Sequence, residues 1–215
     1  MRAKLVLFLA LAALVSLAFS ACAPEPIQGV RPKGSLAVAG FTSPRFNWEL
    51  LAGNLPDENK PVKQETLYKL DQVVQETLAA HETSGYMPPA LTRQCQEIVV
   101  FEQISRGRES AFKYWTGVGA CMNADYILIP QALAWQERDG GEFGTTTPAG
   151  VVLDIFLVEV KTRRIAARFR FDKTQQALSD NLLKAGEYFK RGGKWVTALE
   201  LAREGLSHGL TEMGL

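Results

Sequence analysis

Between residues 65 and 81, Leu67, Leu70, Val73, Val74, Thr77 and Leu78 recur at three- and four-residue steps among polar neighbours. This spacing predicts an amphipathic helix with one apolar stripe. Before it, Ser35 to Phe41 ("SLAVAGF") is a short apolar run between Gly34 and the Thr42-Ser43-Pro44 breakers, which predicts a buried strand. A loop rich in Pro, Asn and Asp follows, holding Phe46 and Trp48. After Pro88-Pro89, the series Leu91, Cys95, Ile98, Val99 and Ile104 favours a second helix, although "EIVVFEQ" taken alone also suits a strand. Ala111, Trp115, Val118 and Met122 mark a third helix, with Gly117 and Gly119 where a neighbour can approach closely.

The period then changes. "ADYILIPQALAWQE" (124–137), "AGVVLDIFLVEV" (149–160) and "RIAARFRFD" (164–172) are rich in β-branched, Leu and aromatic residues. In the last, Ile165, Ala167, Phe169 and Phe171 alternate with Ala166, Arg168 and Arg170, the pattern of a strand buried on one side. The Gly- and Thr-rich stretch 138–148 and the short Lys161-Thr162-Arg163 turn connect these strands as hairpins. Helical spacing returns at Leu178, Leu182, Leu183 and Phe189, breaks at Arg191-Gly192-Gly193-Lys194, and resumes at Trp195, Leu199, Ala202, Leu206 and Leu210. The order predicts an α+β, two-layer fold: a mixed, mainly antiparallel sheet of about four strands packed against helices.

The amino end is a different kind of segment. Arg2 and Lys4 precede the uncharged run Leu5 to Phe19, and the small residues Ser20 and Ala21 lead into Cys22. That is the order of a secretory signal. As a helix the run covers about 22 Å, short of the roughly 30 Å hydrocarbon core, which makes an uncleaved permanent span the weakest reading. Two cleavage sites compete. Phe19-Ser20-Ala21-Cys22 resembles the lipobox of bacterial lipoproteins, with Phe where Leu is usual; ordinary cleavage after Ala-Cys-Ala23 leaves Pro24 directly behind the cut. The first reading divides the chain into a lipoprotein signal peptide (1–21), a lipidated Cys22 with a Pro- and Gly-rich flexible tether (22–34), and a single periplasmic domain (35–215). Several acyl chains on Cys22 would hold it on a membrane essentially permanently. Ala23, rather than Asp, after the Cys resembles the enterobacterial pattern for the outer membrane, on its periplasmic face.

Composition narrows the partners. The full chain of 215 residues carries a formal charge of +1, and losing a leader with two basic residues leaves 22 Lys and Arg against 23 Asp and Glu. Without a basic run there is no footprint for nucleic acid, which is not an expected partner. Beyond Cys22 there are Cys95 and Cys121. In an oxidising compartment they can close a disulfide worth about 3 kcal/mol in the chain-entropy picture, or remain two buried thiols. Neither has a second Cys or His within four residues, so no metal spacing is present.

A strand ending in "AVAGF", an amphipathic helix, "NADYILIPQ" as a second strand and "IFLVEVKTRRIAARFRF" as a hairpin resemble a periplasmic domain of several bacterial envelope proteins. These are the amino-terminal domain of the Tol-system β-propeller protein, the curli-secretion lipoproteins and the outer-membrane lipoprotein activators of penicillin-binding proteins. The tail "FDKTQQALSDNLLKAGEYFKRGGKWVTALELAREGL" is similar to a family of delta-proteobacterial envelope lipoproteins. The resemblance implies a non-catalytic binding or assembly role in the cell envelope, with an envelope protein as partner. The alternative is a subunit of a larger secretion or motility-associated complex, for which a homo-oligomer would speak.

Candidate chemistry is sparse. His81 ends a polar helix segment, and His208 stands near Glu204 and Glu212 at helical spacing, where a surface pair is the simpler reading than a metal site or base. "GVGACMNAD" has Met122 in place of the third Gly of a dinucleotide fingerprint and precedes its strand; "RGGKW" lacks P-loop spacing; no G-x-S-x-G occurs. No catalytic residue, cofactor or metal is expected, and an envelope hydrolase is the least favoured function. The sharpest charge feature is Lys161, Arg163, Arg164, Arg168 and Arg170, either a cationic partner surface or, for Arg168 and Arg170, the wet side of an alternating strand. Trp135 and Phe143 around the long hairpin loop form a second candidate contact, or a core Trp beside a solvent loop.

Overall fold

A computed structural model of the chain describes residues 32–57, 60–81, 83, 85–104, 110–175 and 192–215. The leader, Cys22 and the helical segment expected over 178–189 lie outside the described residues. The elements run β1 (Leu36–Val38), α1 (Gln64–Ala80), α2 (Pro89–Ile104), α3 (Ala111–Cys121), β2 (Tyr126–Gln136), β3 (Asp139–Gly140), β4 (Thr145–Thr147), β5 (Gly150–Glu159), β6 (Arg164–Thr174) and α4 (Ala198–Glu212). A 3-10 turn, Asn47–Glu49, interrupts the loop after β1.

The main sheet has the order β1-β2-β5-β6. β1 is parallel to β2, and the other neighbours are antiparallel. The short connection after β5 permits only a hairpin, whereas the helices between β1 and β2 give the length a parallel return needs. The α+β class and the four-stranded mixed sheet are therefore as expected. Helices occupy both faces, which adds a layer to the expected two.

On one face, Leu67, Leu70, Val74 and Leu78 of α1 and Leu201, Leu206 and Leu210 of α4 pack on Leu128, Leu153, Ile155, Leu157 and Phe171. On the other, Cys95 and Val99 of α2 and Trp115 and Val118 of α3 pack on Ala37, Ile127, Ile129, Phe156 and Val158. Because β2 and β5 are covered on both sides, their sequences are continuous apolar runs and only the edge strand β6 alternates. No helix among the described residues is long and apolar enough to cross a membrane.

Two expected faces shift. Leu91 and Ile98 are 49% and 54% exposed; the inward side of α2 is Thr92, Cys95 and Val99. A disulfide joins Cys95 to Cys121 of α3, and Val99 packs against Gly117, so contacts with α3 set the rotation of α2. Ile165 is likewise exposed, because a bulge between Leu157 and Val158 leaves Ala166 as an extra residue and puts Ile165 out of phase with Phe169 and Phe171. The long hairpin loop holds its own small ladder, β3 with β4. Trp195 precedes α4, whose start is fixed by a capping box in which Thr197 Oγ1 accepts from the Glu200 N–H and Glu200 accepts from the Thr197 N–H.

Close packing of α4 on β6 depends on Gly205 and Gly209. A Cβ at Gly205 would lie 2.6 Å from the Phe171 ring, and one at Gly209 2.6 Å from Phe169. Gly205→Val should therefore lower stability by about 1–3 kcal/mol, despite removing a poor helix former, as read from the urea midpoint.

Candidate functional site

The only polar row in the apolar middle of the sheet among the described residues is set by strand register. Thr42 bridges Gln131 of β2, Gln131 stands opposite Asp154 of β5, and Asp154 opposite Arg170 of β6. Asp154 is fully buried. It accepts from Arg168 Nε at 3.1 Å and Nη2 at 2.9 Å, and from Arg170 Nη1 at 3.1 Å. Arg168 also lies over the Phe156 ring, 5.3 Å from its centroid, and Arg170 reaches Asp172 at 3.7 Å. A carboxylate holding three N–H donors is committed to binding its two arginines. The Gln131 amide donates to the Glu49 carbonyl at 3.2 Å, while Gln131 Oε1 and Thr42 Oγ1 are buried with no hydrogen-bond partner among the described residues.

Over this row runs the loop from Thr42 to Asp57. Its 3-10 turn is braced from several sides: Glu49 accepts from the Arg45 N–H at 2.6 Å, Asn47 from the Leu55 N–H at 3.0 Å, and Leu50 is buried. Gly53, at φ 85°, brings backbone against the Arg168 guanidinium, where a Cβ would be 2.8 Å from Nη2. On this fixed loop Phe46 and Trp48 stack at 5.8 Å with 12° between their planes, and they are 53% and 45% exposed.

A second charged contact closes the β1 edge. Asp71 of α1 pairs with Arg93 of α2 and accepts from the Phe41 N–H at 2.6 Å. Arg93 covers Tyr68 at 4.8 Å and packs on Gly40. Burial pushes the Asp71 carboxyl above the ordinary Asp range, against the pull of the Phe41 N–H and Arg93.

The five basic residues do not form one surface. Arg168 and Arg170 belong to the Asp154 row, while Lys161, Arg163 and Arg164 lie at the β5–β6 turn, where Arg164 pairs with Glu159 at 3.2 Å. His81 joins the end of α1 to α4, with Nδ1 2.9 Å from the Leu215 carbonyl and Nε2 3.3 Å from Ser207 Oγ. His208 is exposed on α4, and among the described residues no three His, Cys, Asp or Glu side chains converge as for a metal. Trp135 packs against the core under α1 and α4 and donates to Glu137 at 3.0 Å. Phe143, 82% exposed at the hairpin tip, lies under Lys194, which pairs with Glu142; that ion pair holds the Glu142 carboxyl below its ordinary range.

Asp154 was the residue that sequence reasoning missed. Its signal was a lone carboxylate inside "VVLDIFLV", a run otherwise apolar enough to be buried on both sides, where an ion requires a partner.

Fold and site together define an α+β protein in which a buried Asp154 ties β5 to two arginines of β6 and a braced loop displays two stacked aromatics. No protein-family model matches the chain, and no characterised protein matches it by sequence. Among solved structures it is similar to the PelC dodecamer from Paraburkholderia phytofirmans, at 12% identity over 86% of this chain and 91% of that one, with a TM-score of 0.47. It is also similar to the LpoB C-terminal domain from Salmonella enterica, at 14% identity over 68% and 87%, TM-score 0.38. A lipoprotein from Neisseria meningitidis is similar at 10% identity over 74% and 98%, TM-score 0.36. At these values the likeness is one of general build, and it carries no activity, assembly or partner to this chain. None of the three supports the expected resemblance to the Tol-system propeller protein.

Proposed function

We propose that the protein is a lipoprotein of the outer membrane, facing the periplasm from a lipid on Cys22, and that residues 35–215 form one domain that docks an envelope protein without catalysis. The observation that carries the docking role is the stacked, exposed Phe46–Trp48 pair on a loop whose backbone is held by Glu49, Asn47 and Gln131. Rigid aromatics offered at low entropic cost are the usual anchors of protein interfaces. The charged groups of the sheet support a non-catalytic reading, since Asp154, Arg168 and Arg170 are occupied with one another. Anchoring rests on the leader and its Phe19-Ser20-Ala21-Cys22 ending.

Two measurements on protein from its own membranes test this. The intact mass should begin at Cys22 with diacylglyceryl and acyl additions; a lipid-free mass beginning at Pro24 would remove the anchor. A photo-crosslinker at Trp48 should join the protein to one discrete envelope protein, and Phe46→Ala should abolish that product with the melting temperature unchanged. Crosslinks that survive Phe46→Ala would place the interface elsewhere.

A further inference from the structure

The chain reaches the folded part at one end of the sheet, and that end is defined by register. Leu36 pairs with Tyr126, Tyr126 with Glu159, and Glu159 with Arg164. Ser35 is fastened there: its N–H and Oγ donate to Asp125 at 2.8 and 2.9 Å, and these bonds, with Lys161 nearby, hold the Asp125 carboxyl below its ordinary range. The Val160 N–H in turn donates to the Asp125 carbonyl at 2.9 Å, so the Lys161–Arg164 turn stands directly beside the point where the stretch running back to Cys22 enters.

We infer that this turn is a headgroup-contact site, by which the tether end of the domain bears on anionic phospholipid; the inference rests on the lipid anchoring proposed above. Lys33, Lys161, Arg163 and Arg164 are all exposed at this end. The nearby acids are engaged, Asp125 by Ser35 and Glu159 by Thr162 and Arg164, and those hydrogen bonds hold the Glu159 carboxyl low. Arg163 adds an independent sign. It occupies the left-handed region at φ 53°, a conformation that Gly or Asn adopts more readily, and there it projects from the tip of the turn. An exposed arginine in a backbone conformation that glycine adopts more readily points to a use for its charge. The stretch from Cys22 to Gly34 spans at most about 45 Å. On a tether that short even a weak charge contact forms, because it is intramolecular with the anchor.

The test uses the full chain purified from membranes and mixed with vesicles of phosphatidylcholine, with or without phosphatidylglycerol. Flotation with the neutral vesicles reads the anchor alone. Acylation of Lys161 by a soluble amine reagent, followed by mass spectrometry with Lys69 as internal control, reads the turn. Lys161 labelling should fall several-fold in the anionic vesicles and recover in high salt. Arg163→Gly should remove most of that shielding while leaving the melting temperature equal or higher. Equal Lys161 labelling on both vesicles overturns the inference, whether or not the protein floats. Failure to float on neutral vesicles with shielding by anionic ones would reject the anchor and keep the turn as a lipid contact.

Discussion

Asp154→Asn is expected to lower the free energy of unfolding by about 3 kcal/mol, near the bottom of the roughly 3–5 kcal/mol range for breaking a buried ion pair. The carboxylate is fully buried, whereas the side chains of Arg168 and Arg170 are each 33% exposed and can recover some hydration. An amide retains the shape of the acid but loses its charge and leaves two guanidinium groups side by side on one face of β6. The single arginine changes should be milder and unequal. Arg168→Ala loses two hydrogen bonds and the contact with Phe156, so it should cost more than Arg170→Ala, which loses one bond to Asp154. Urea midpoints for the three variants check the order. An Asp154→Asn protein within about 1 kcal/mol of the parent would mean that hydration of the two arginines offsets the lost ion pairs.

Opening the Cys95–Cys121 bridge should cost about as much. The cysteines are 26 residues apart, and a loop of that length corresponds to about 3.5 kcal/mol in the chain-entropy picture. The bridge joins α2 to α3 on the outside of one sheet face, so its loss loosens that layer while α1 and α4 stay packed on the other. Cys121 is exposed and Cys95 buried, which gives a reductant access from the α3 side. A thiol reductant and the Cys95→Ser, Cys121→Ser double variant should lower the unfolding midpoint by similar amounts. Unchanged midpoints in both would show that helix packing alone fixes the pair.

The sequence carried the fold wherever one element faced one environment. α1 shows a single apolar stripe, and the outer part of β6 alternates, so both were legible. Less could be read where two elements decide together. The buried side of α2 is Thr92, Cys95 and Val99 rather than Leu91 and Ile98, since the disulfide and Gly117 of α3 turn it. Ile165 is displaced by a bulge that depends on pairing with β5. The basic residues from Lys161 to Arg170 look continuous in sequence, but the turn and the alternation of β6 send them to two sites. Asp154 was visible as an oddity in an apolar strand, yet its meaning required the register with Gln131 and Arg170. Phe46 and Trp48 were visible only as aromatics in a loop; their stacking follows from the braces around Glu49 and Asn47, which no local pattern announces. Thr197 and Glu200, by contrast, formed a helix-start signal that could have placed the beginning of α4.

The parallel seam between β1 and β2 also sets an order of closure. Ser35 and Asp125, which begin that seam, are 90 residues apart, whereas the hairpins of β2, β5 and β6 form from neighbouring chain. A chain emerging amino end first would present Ser35 to Phe41 to water early, with no strand to receive it until residues 125–132 follow. Distant pairings of this kind form slowly. The strand nearest the amino end of the described residues is thus made first and secured last. A chain stalled or cut before residue 125 would leave a short apolar strand without its partner, open to pairing with any other exposed edge.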